Sequence, residues 1–471
     1  MKFINKYKSL IIAITLSVLA YLPSLFTFFS GDDWFHLRIS QINSFSQFLN
    51  FFSFSHTAQS ASFYRPLPEQ VFFFVFNRLF GLNALPYHIF VLFCFILSLY
   101  LLYKLAKKLN FSHTQANLTV LVYGIAVANF PRIYFLSAFQ DVLLPLFVIA
   151  SLILFLDKKY LRSIFFFVLS LLSKETAVVV PFLLLGLIFL TRKNKIKNTL
   201  PYFLITLLYL FLRFKYFGGA AGDSYIYDFS LKKALNTLFW YIVWTFGAPE
   251  NLVDYVGSGL KIVPKFFTDF PIWSTVMLAE LGSLFVFLVF SLTTLKNKIS
   301  QNWRLIIFCL FFFLVSLGPV IFMPWHKFAH ALSLPMVGSS LLLGFLLADR
   351  KLVLKIFLAI YLVTNLSMNL FLYSRHYSVN RSRISEKVYQ YFSQNYPQAP
   401  VNSYFVFTDD PASPHQGKDQ SKELSLALSQ SDFFQVFYHN RDFGVYYEDL
   451  GLDSTPSGIP IHVDSGQFLV R

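Results

Sequence analysis

Between residues 9 and 373 the sequence returns again and again to apolar runs near the length that a bilayer core demands, roughly 20 residues per helix. They fall at 9–29, 85–103, 117–134, 140–156, 160–173, 176–191, 199–217, 274–295, 303–323, 331–348 and 353–373. A fold must satisfy the backbone of every submerged run internally, which points to an all-α polytopic protein with about eleven transmembrane helices. Composition agrees: 13% of the 471 residues are charged and 56% are hydrophobic, where soluble domains carry about 25% charged residues. The net charge is +15. Much of the Lys and Arg sits in short loops between apolar runs, so a membrane accounts for it and no nucleic-acid partner is expected. The basic start, MKFINKYK, leads into a run longer than a signal-peptide core with no small-x-small cleavage site after it. A retained first span is expected.

The basic clusters set the orientation. Lys2, Lys6 and Lys8 precede the first run, and Lys104, Lys107 and Lys108 follow the second. Lys158, Lys159 and Arg162, then Arg192, Lys193, Lys195 and Lys197, follow the fourth and sixth. Lys296, Lys298 and Arg304, then Arg350, Lys351 and Lys355, flank the later ones. With the spans above, all share one side, which the positive-inside rule makes cytoplasmic. The N-terminus is then cytoplasmic in a plasma-membrane protein. The loop 30–84, the stretch 218–272 and the tail 375–471 lie outside. Residues 233–248 are expected as an interfacial or re-entrant helix with Trp240 and Trp244 at headgroup level. The polar tail reads as a small extracytoplasmic α/β domain beside the 1–374 membrane module. "NSYFVFTDD" (402–410) is its strand, with Asp409 and Asp410 at the end. Cys94 and Cys309 lie inside apolar runs, so neither a disulfide framework nor a cysteine-ligated metal is expected.

The uncommon polar residues gather at the outer mouth. Asp32, Asp33, His36 and Arg38 belong to "SGDDWFHLRIS"; Arg65, Asp141, Lys174, Glu175, His326, Lys327 and His330 complete the set. Ionisable groups at membrane depth usually line a cavity or pathway. Each also has a plain structural reading. Asp32, Asp33 and Asp141 suit helix N-termini. Lys174-Glu175 suits a solvated turn. His326 and His330 have the spacing of a metal-binding pair, with nothing else to support zinc.

In order along the chain stand an acidic pair after the first run, "YRPLPEQVFFFVFNRLFGLNALPYHIFVLF", an Asp entering the fourth run and a Lys-Glu between the fifth and sixth. Over about residues 5–200 this order resembles the GT-C superfamily of integral membrane glycosyltransferases, in the branch with protein O-mannosyltransferases and aminoarabinose transferases. The resemblance implies transfer of a monosaccharide from a polyprenyl phosphate, with inversion, to an extracytoplasmic hydroxyl on a cell-surface glycan, lipid or protein. It implies Asp33 as the base or acceptor-orienting residue, with Asp32 beside it. Asp141 and His36 become candidates to hold a divalent metal or shape the site. Lys174 and Arg65 become candidates for the donor phosphate, with Glu175 holding Lys174; Lys327 and His326 would contact the sugar phosphate. The chain departs from the mannosyltransferases in carrying Asp-Asp for Asp-Glu and no room for a β-trefoil. It also lacks the WWD-type motif of oligosaccharyltransferases. A transporter or non-catalytic binder of lipid-linked sugars is the alternative. The absence of repeats and the gathering of charge at one face speak against transport.

Overall fold

The computed structural model describes residues 2–61, 63–218, 225–257, 260–409, 419–440, 443–451 and 458–469, without the side chains of 2–6 and 292–294. Helices dominate. In chain order they are α1 (Lys2–Tyr21), α2 (Asp32–Ile39), α3 (Phe45–Asn50), α4 (Phe72–Phe80), α5 (Ala84–Lys108), α6 (His113–Ile125), α7 (Phe130–Tyr134), α8 (Gln140–Leu156), α9 (Tyr160–Leu171), α10 (Val180–Thr191) and α11 (Leu200–Tyr216). Then come α12 (Leu231–Thr245), α13 (Lys265–Asp269), α14 (Pro271–Gln301), α15 (Trp303–Ile321), α16 (Pro335–Leu347) and α17 (Lys351–Arg375). The C-terminal part holds α18 (Tyr377–Asn395), β1 (Ser403–Thr408), α19 (Gln420–Leu428), α20 (Asp432–Phe437), β2 (Val445–Tyr447) and β3 (Ile459–Asp464). Asp410 lies outside the described residues.

Helix stands in every run expected to span, but lengths differ. Among the described residues, six stretches are long and apolar enough to cross a membrane: Tyr7–Phe26, Ala84–Lys108, Leu136–Leu156, Pro271–Ser291, Trp303–Ile321 and Lys351–Asn395. The pair His113–Ile125 and Val127–Tyr134 is bent by 53° and qualifies only as a unit. Its break is chemically supported. Asn129 Nδ2 donates to the carbonyls freed at Tyr123 and Gly124, at 2.7 and 3.2 Å. Asn365 Oδ1 accepts the Val127 amide at 2.8 Å. A broken helix tolerates an apolar setting only when such partners satisfy it. Tyr160–Leu171, Glu175–Thr191 and Pro335–Leu347 are shorter apolar helices.

α12 corrects one expectation. Its indoles are packed inside the protein and not presented on its surface: Trp240 and Trp244 are 3% and 0% exposed. Tyr241 packs edge-on against Trp244 at 5.5 Å.

Two ion pairs mark one end of the bundle. Lys108 meets Asp157 just past α8, and Lys298 meets Asp349 at 2.5 Å. Asp141 opens α8 at its other end, about 24 Å away by helix rise. The polar mouth therefore lies one helix length from the basic end.

The C-terminal part is a three-stranded parallel sheet, order β2-β1-β3. Central β1 buries Phe405 and Phe407 completely against Phe392 of α18 and Phe434 of α20. Its core runs on into the bundle: Trp34 of α2 packs on Phe433 at 4.8 Å and on Phe29 at 5.5 Å. Cys94 and Cys309 are free and buried.

Candidate functional site

A cavity of about 690 Å³ opens where α2, the turn Pro66–Val71, the start of α8, the segment 174–178 ahead of α10, the ends of α11 and α15, and the 326–330 turn converge. Glycine makes its first wall possible. Gly31 holds φ +51° and ψ −127°, a conformation open to few side chains. Its N–H donates to Ala427 O at 2.7 Å. The chain then enters α2 with both aspartates in the first turn.

Those aspartates separate. Asp33 is 1% exposed and does not line the cavity. Its Oδ2 accepts the Ser30 amide at 2.9 Å, and its Oδ1 accepts Ser137 N–H and Oγ–H at 2.7 and 2.6 Å. Burial pushes its carboxyl up to about 7 against the pull of those hydrogen bonds. Asp32 lines the cavity, and its side chain has no hydrogen-bond or ion-pair partner among the described residues. Asp32 is exposed to the cavity space; desolvation by the surrounding walls raises its pKa first, Arg381 lowers it and Asp432 raises it.

The YRPL segment supplies the next wall. Two prolines and a π-helical turn at Pro66–Val71 follow Arg65, a geometry common at functional sites. The Leu67 amide donates to Leu172 O at 3.3 Å, docking this turn beside the Lys-Glu pair. Arg65 forks onto Glu175, Nε to Oε2 at 2.8 Å and Nη2 to Oε1 at 2.6 Å. Its Nη1 reaches Glu69 at 3.3 Å. Glu69 is 3% exposed, its Oε2 lacks a partner, and burial pushes its carboxyl up to about 8.

Lys174 is extended, φ −158° and ψ 137°, so its side chain and that of Glu175 diverge. The ammonium goes to Asp141 Oδ1 at 2.6 Å, which also accepts Ser333 Oγ–H at 3.0 Å. The expected pairing is thereby corrected: Asp141 holds Lys174, and Glu175 holds Arg65. Asp141 sits in the first turn of α8 but spends its carboxylate on the lysine and not on a backbone cap.

The 326–330 turn splits its residues. His326 lines the cavity, its ring tilted against Tyr225 at 4.0 Å, and His330 stacks on Phe328 at 5.3 Å. Burial lowers both imidazoles, His326 to about 3, so both are neutral at physiological pH. His36, also in the wall, is lowered to about 3 by burial and by Arg65. Lys327 does not face this cavity. Its Nζ donates to Asn236 Oδ1 at 3.1 Å, beside a separate cavity of about 260 Å³. Arg38 faces the C-terminal part, Nε to Asp432 Oδ1 at 2.5 Å.

Arg213, Glu69 and Tyr377 are among the wall residues that escaped the sequence reading. Arg213 lies 7% exposed near the end of α11, with Nη1 unpartnered. The signal was there, an arginine inside the apolar run 199–217, where a charge is costly unless it faces a cavity. Glu69 lay in plain view within the YRPL stretch. Tyr377, at the start of α18, carries no motif at all.

Several wall atoms are buried without a partner: Glu69 Oε2, His36 Nδ1, Gln140 Oε1, Thr176 Oγ1, Arg213 Nη1 and His326 Nδ1. Buried polar atoms normally find partners, so this cluster marks a place for a polar ligand or water. Part of the wall is apolar. Leu210, Phe214, Pro319 and Val320 line it, and α11 continues outward with exposed Leu207 and Phe211. The Lys174 ammonium holds Asp141 Oδ1 while Oδ2 has no partner, and among the described residues no group of three His, Cys, Asp or Glu side chains is arranged around a metal position.

No family model matches the chain, and no curated protein does. Among solved structures it is similar to the oligosaccharyltransferase of Archaeoglobus fulgidus in the apo form, with TM-score 0.47, 12% identity, and coverage of 92% of this chain and 64% of that one. The same enzyme tethered to an acceptor peptide containing the NVT sequon gives TM-score 0.46, 12% identity, and coverage of 95% and 64%. The chain thus spans less than two thirds of that enzyme's length.

Proposed function

We propose that this chain is a membrane glycosyltransferase that moves a sugar from a polyprenyl phosphate to an acceptor hydroxyl on a cell-surface glycan, lipid or protein outside the membrane. One observation carries the reading. A single cavity joins a free carboxylate, Asp32, a buried guanidinium with an unpartnered nitrogen, Arg213, and an apolar side on α11 and α15. A donor with a phosphate head and an isoprenoid tail matches that combination.

The reaction follows from the groups present. The acceptor oxygen attacks the anomeric carbon from the face opposite the phosphate. The bond from that carbon to the phosphate oxygen breaks, and polyprenyl phosphate leaves with the electron pair. Asp32 takes the acceptor proton, for which a carboxyl raised above its ordinary range is the better base. Negative charge grows on the departing phosphate, where Arg213 is the uncommitted cation and Lys174 and Arg65 stand behind it, each held by its carboxylate. The neutral imidazoles of His36 and His326 are suited to sugar hydroxyls. The role of base moves from Asp33 to Asp32 because only Asp32 faces the cavity.

The test uses the full chain in lipid nanodiscs with a panel of labelled polyprenyl-phosphate monosaccharides and cell-envelope extract as acceptor. Label passing to acceptor with the wild type and not with Asp32→Asn supports the reading. Donor that binds or crosses the bilayer without transfer by the wild type overturns it in favour of a carrier.

A further inference from the structure

Two consecutive residues of the C-terminal part, Ser429 and Gln430, hold left-handed backbone at φ +53° and +55°. Neither is glycine, so the turn persists only because its surroundings hold it. Gln430 N–H donates to Ser425 O at 2.8 Å, and Tyr447 Oη–H donates to Gln430 O at 2.8 Å. Ser429 Oγ–H donates to Asp432 Oδ2 at 2.9 Å. The other oxygen of that carboxylate accepts from Arg38 of α2. Ser429 lines the cavity, as do Asp32 at the start of α2 and Tyr377 at the start of α18. One carboxylate therefore spans from a strained lip of the cavity to the helix that presents the free aspartate. The apolar contact of Trp34 with Phe433 already joins the two parts. Asp432 adds direction to a contact that burial alone would leave free to slide.

We propose that Asp432 is a positioning residue, which locks the Ser429–Gln430 lip to α2 so that the acceptor-side wall and the Asp32 carboxylate keep one geometry. The inference rests on the reading of Asp32 as the base. The acceptor hydroxyl meets the lip and the base as one rigid unit, and misplacement by a fraction of a bond length is enough to slow transfer. The donor side, on α11 and α15, is not part of this linkage.

The test compares wild type, Asp432→Asn and Asp432→Glu in nanodiscs, using the polyprenyl-phosphate monosaccharide the wild type accepts and titrated envelope extract as acceptor. For Asp432→Asn the expected result is a fall in kcat of about tenfold or more with a raised acceptor KM, while donor affinity stays within about twofold. Asp432→Glu restores most of the rate. Unchanged kcat and acceptor KM in Asp432→Asn, beside an active wild type, overturns the inference alone. A parallel loss of rate, donor affinity and thermal stability that Asp432→Glu does not reverse also overturns it, by making the residue merely structural. A wild type that never transfers removes the underlying reading and this inference with it.

Discussion

Asp32 and Asp33, neighbours in the first turn of α2, face opposite surroundings: the first lines the cavity without a partner, the second is buried under three hydrogen bonds from Ser30 and Ser137. Successive helical residues point about 100° apart, so an adjacent pair readily divides between wall and core. Two chemically identical side chains thereby acquire different work. Asp33 ties α2 to the chain leading into α8, and the Asp32 carboxylate is left uncommitted at the cavity wall.

The division predicts a split between stability and chemistry. Asp33→Asn presents an amide N–H₂ to groups that all donate, so one buried donor loses its acceptor, at a cost of about 1–3 kcal/mol. Thermal melting in detergent should show a clear drop for Asp33→Asn and little change for Asp32→Asn. Transfer should show the reverse order of severity. Equal melting temperatures for the two variants would refute the burial role of Asp33.

Arg213 and Lys327 predict a second contrast. Arg213→Gln removes the uncommitted cation of the cavity and should weaken donor binding by about tenfold, the scale of one charge-assisted hydrogen bond. Lys327→Gln should leave donor affinity unchanged, because its ammonium serves Asn236 beside a different cavity. Binding of a labelled polyprenyl-phosphate sugar to each variant in nanodiscs decides the matter.

Lys174 and Asp141 form a buried pair, 9% and 0% exposed at their side chains. Lys174→Met strands a carboxylate in the bundle and should cost about 3–5 kcal/mol. Lys174→Met with Asp141→Leu removes both charges and should recover most of that loss. Melting of the single and double variants measures the recovery; a double variant no better than the single would mean that the pair is not what holds these ends together.

The fourth prediction concerns pH. Desolvation by the cavity walls raises the Asp32 carboxyl, and a base must be ionised, so kcat/KM should climb with pH through an acid limb shifted upward from that of a free aspartate. Arg381 pulls that pKa down, so Arg381→Gln should move the limb to higher pH. A rate profile from pH 5 to 9 for both proteins reads the shift. A limb that moves to lower pH would place some other group in control.

How much of this was readable in the sequence differs from element to element. Apolar runs announce helices because every submerged residue must be apolar, and helix stands in each run. Run length did not announce how many are long enough alone: the α6–α7 break depends on Asn129 and Asn365, the second far away in sequence. The site residues were recognisable as uncommon polar groups in apolar surroundings. Their pairing was not, because the extended backbone at Lys174 sends two adjacent side chains apart, and no residue type encodes that. Arg213 was hidden by the neighbours that made its helix look like plain lipid-facing bulk. Tyr377 and Ser429 could not be found from motifs, since they reach the cavity only through tertiary docking of the C-terminal part.

That docking has a consequence in time. Arg38 and Asp432 are 394 positions apart, and the Gly31 amide is satisfied by Ala427. A ribosome adding about 5–20 residues per second makes the acidic turn tens of seconds before the segment that braces it. Until then α2 has its aspartates but not its clasp. Assembly of the mouth is thus a late event, and a chain stopped before residue 427 would carry the whole bundle without a finished site.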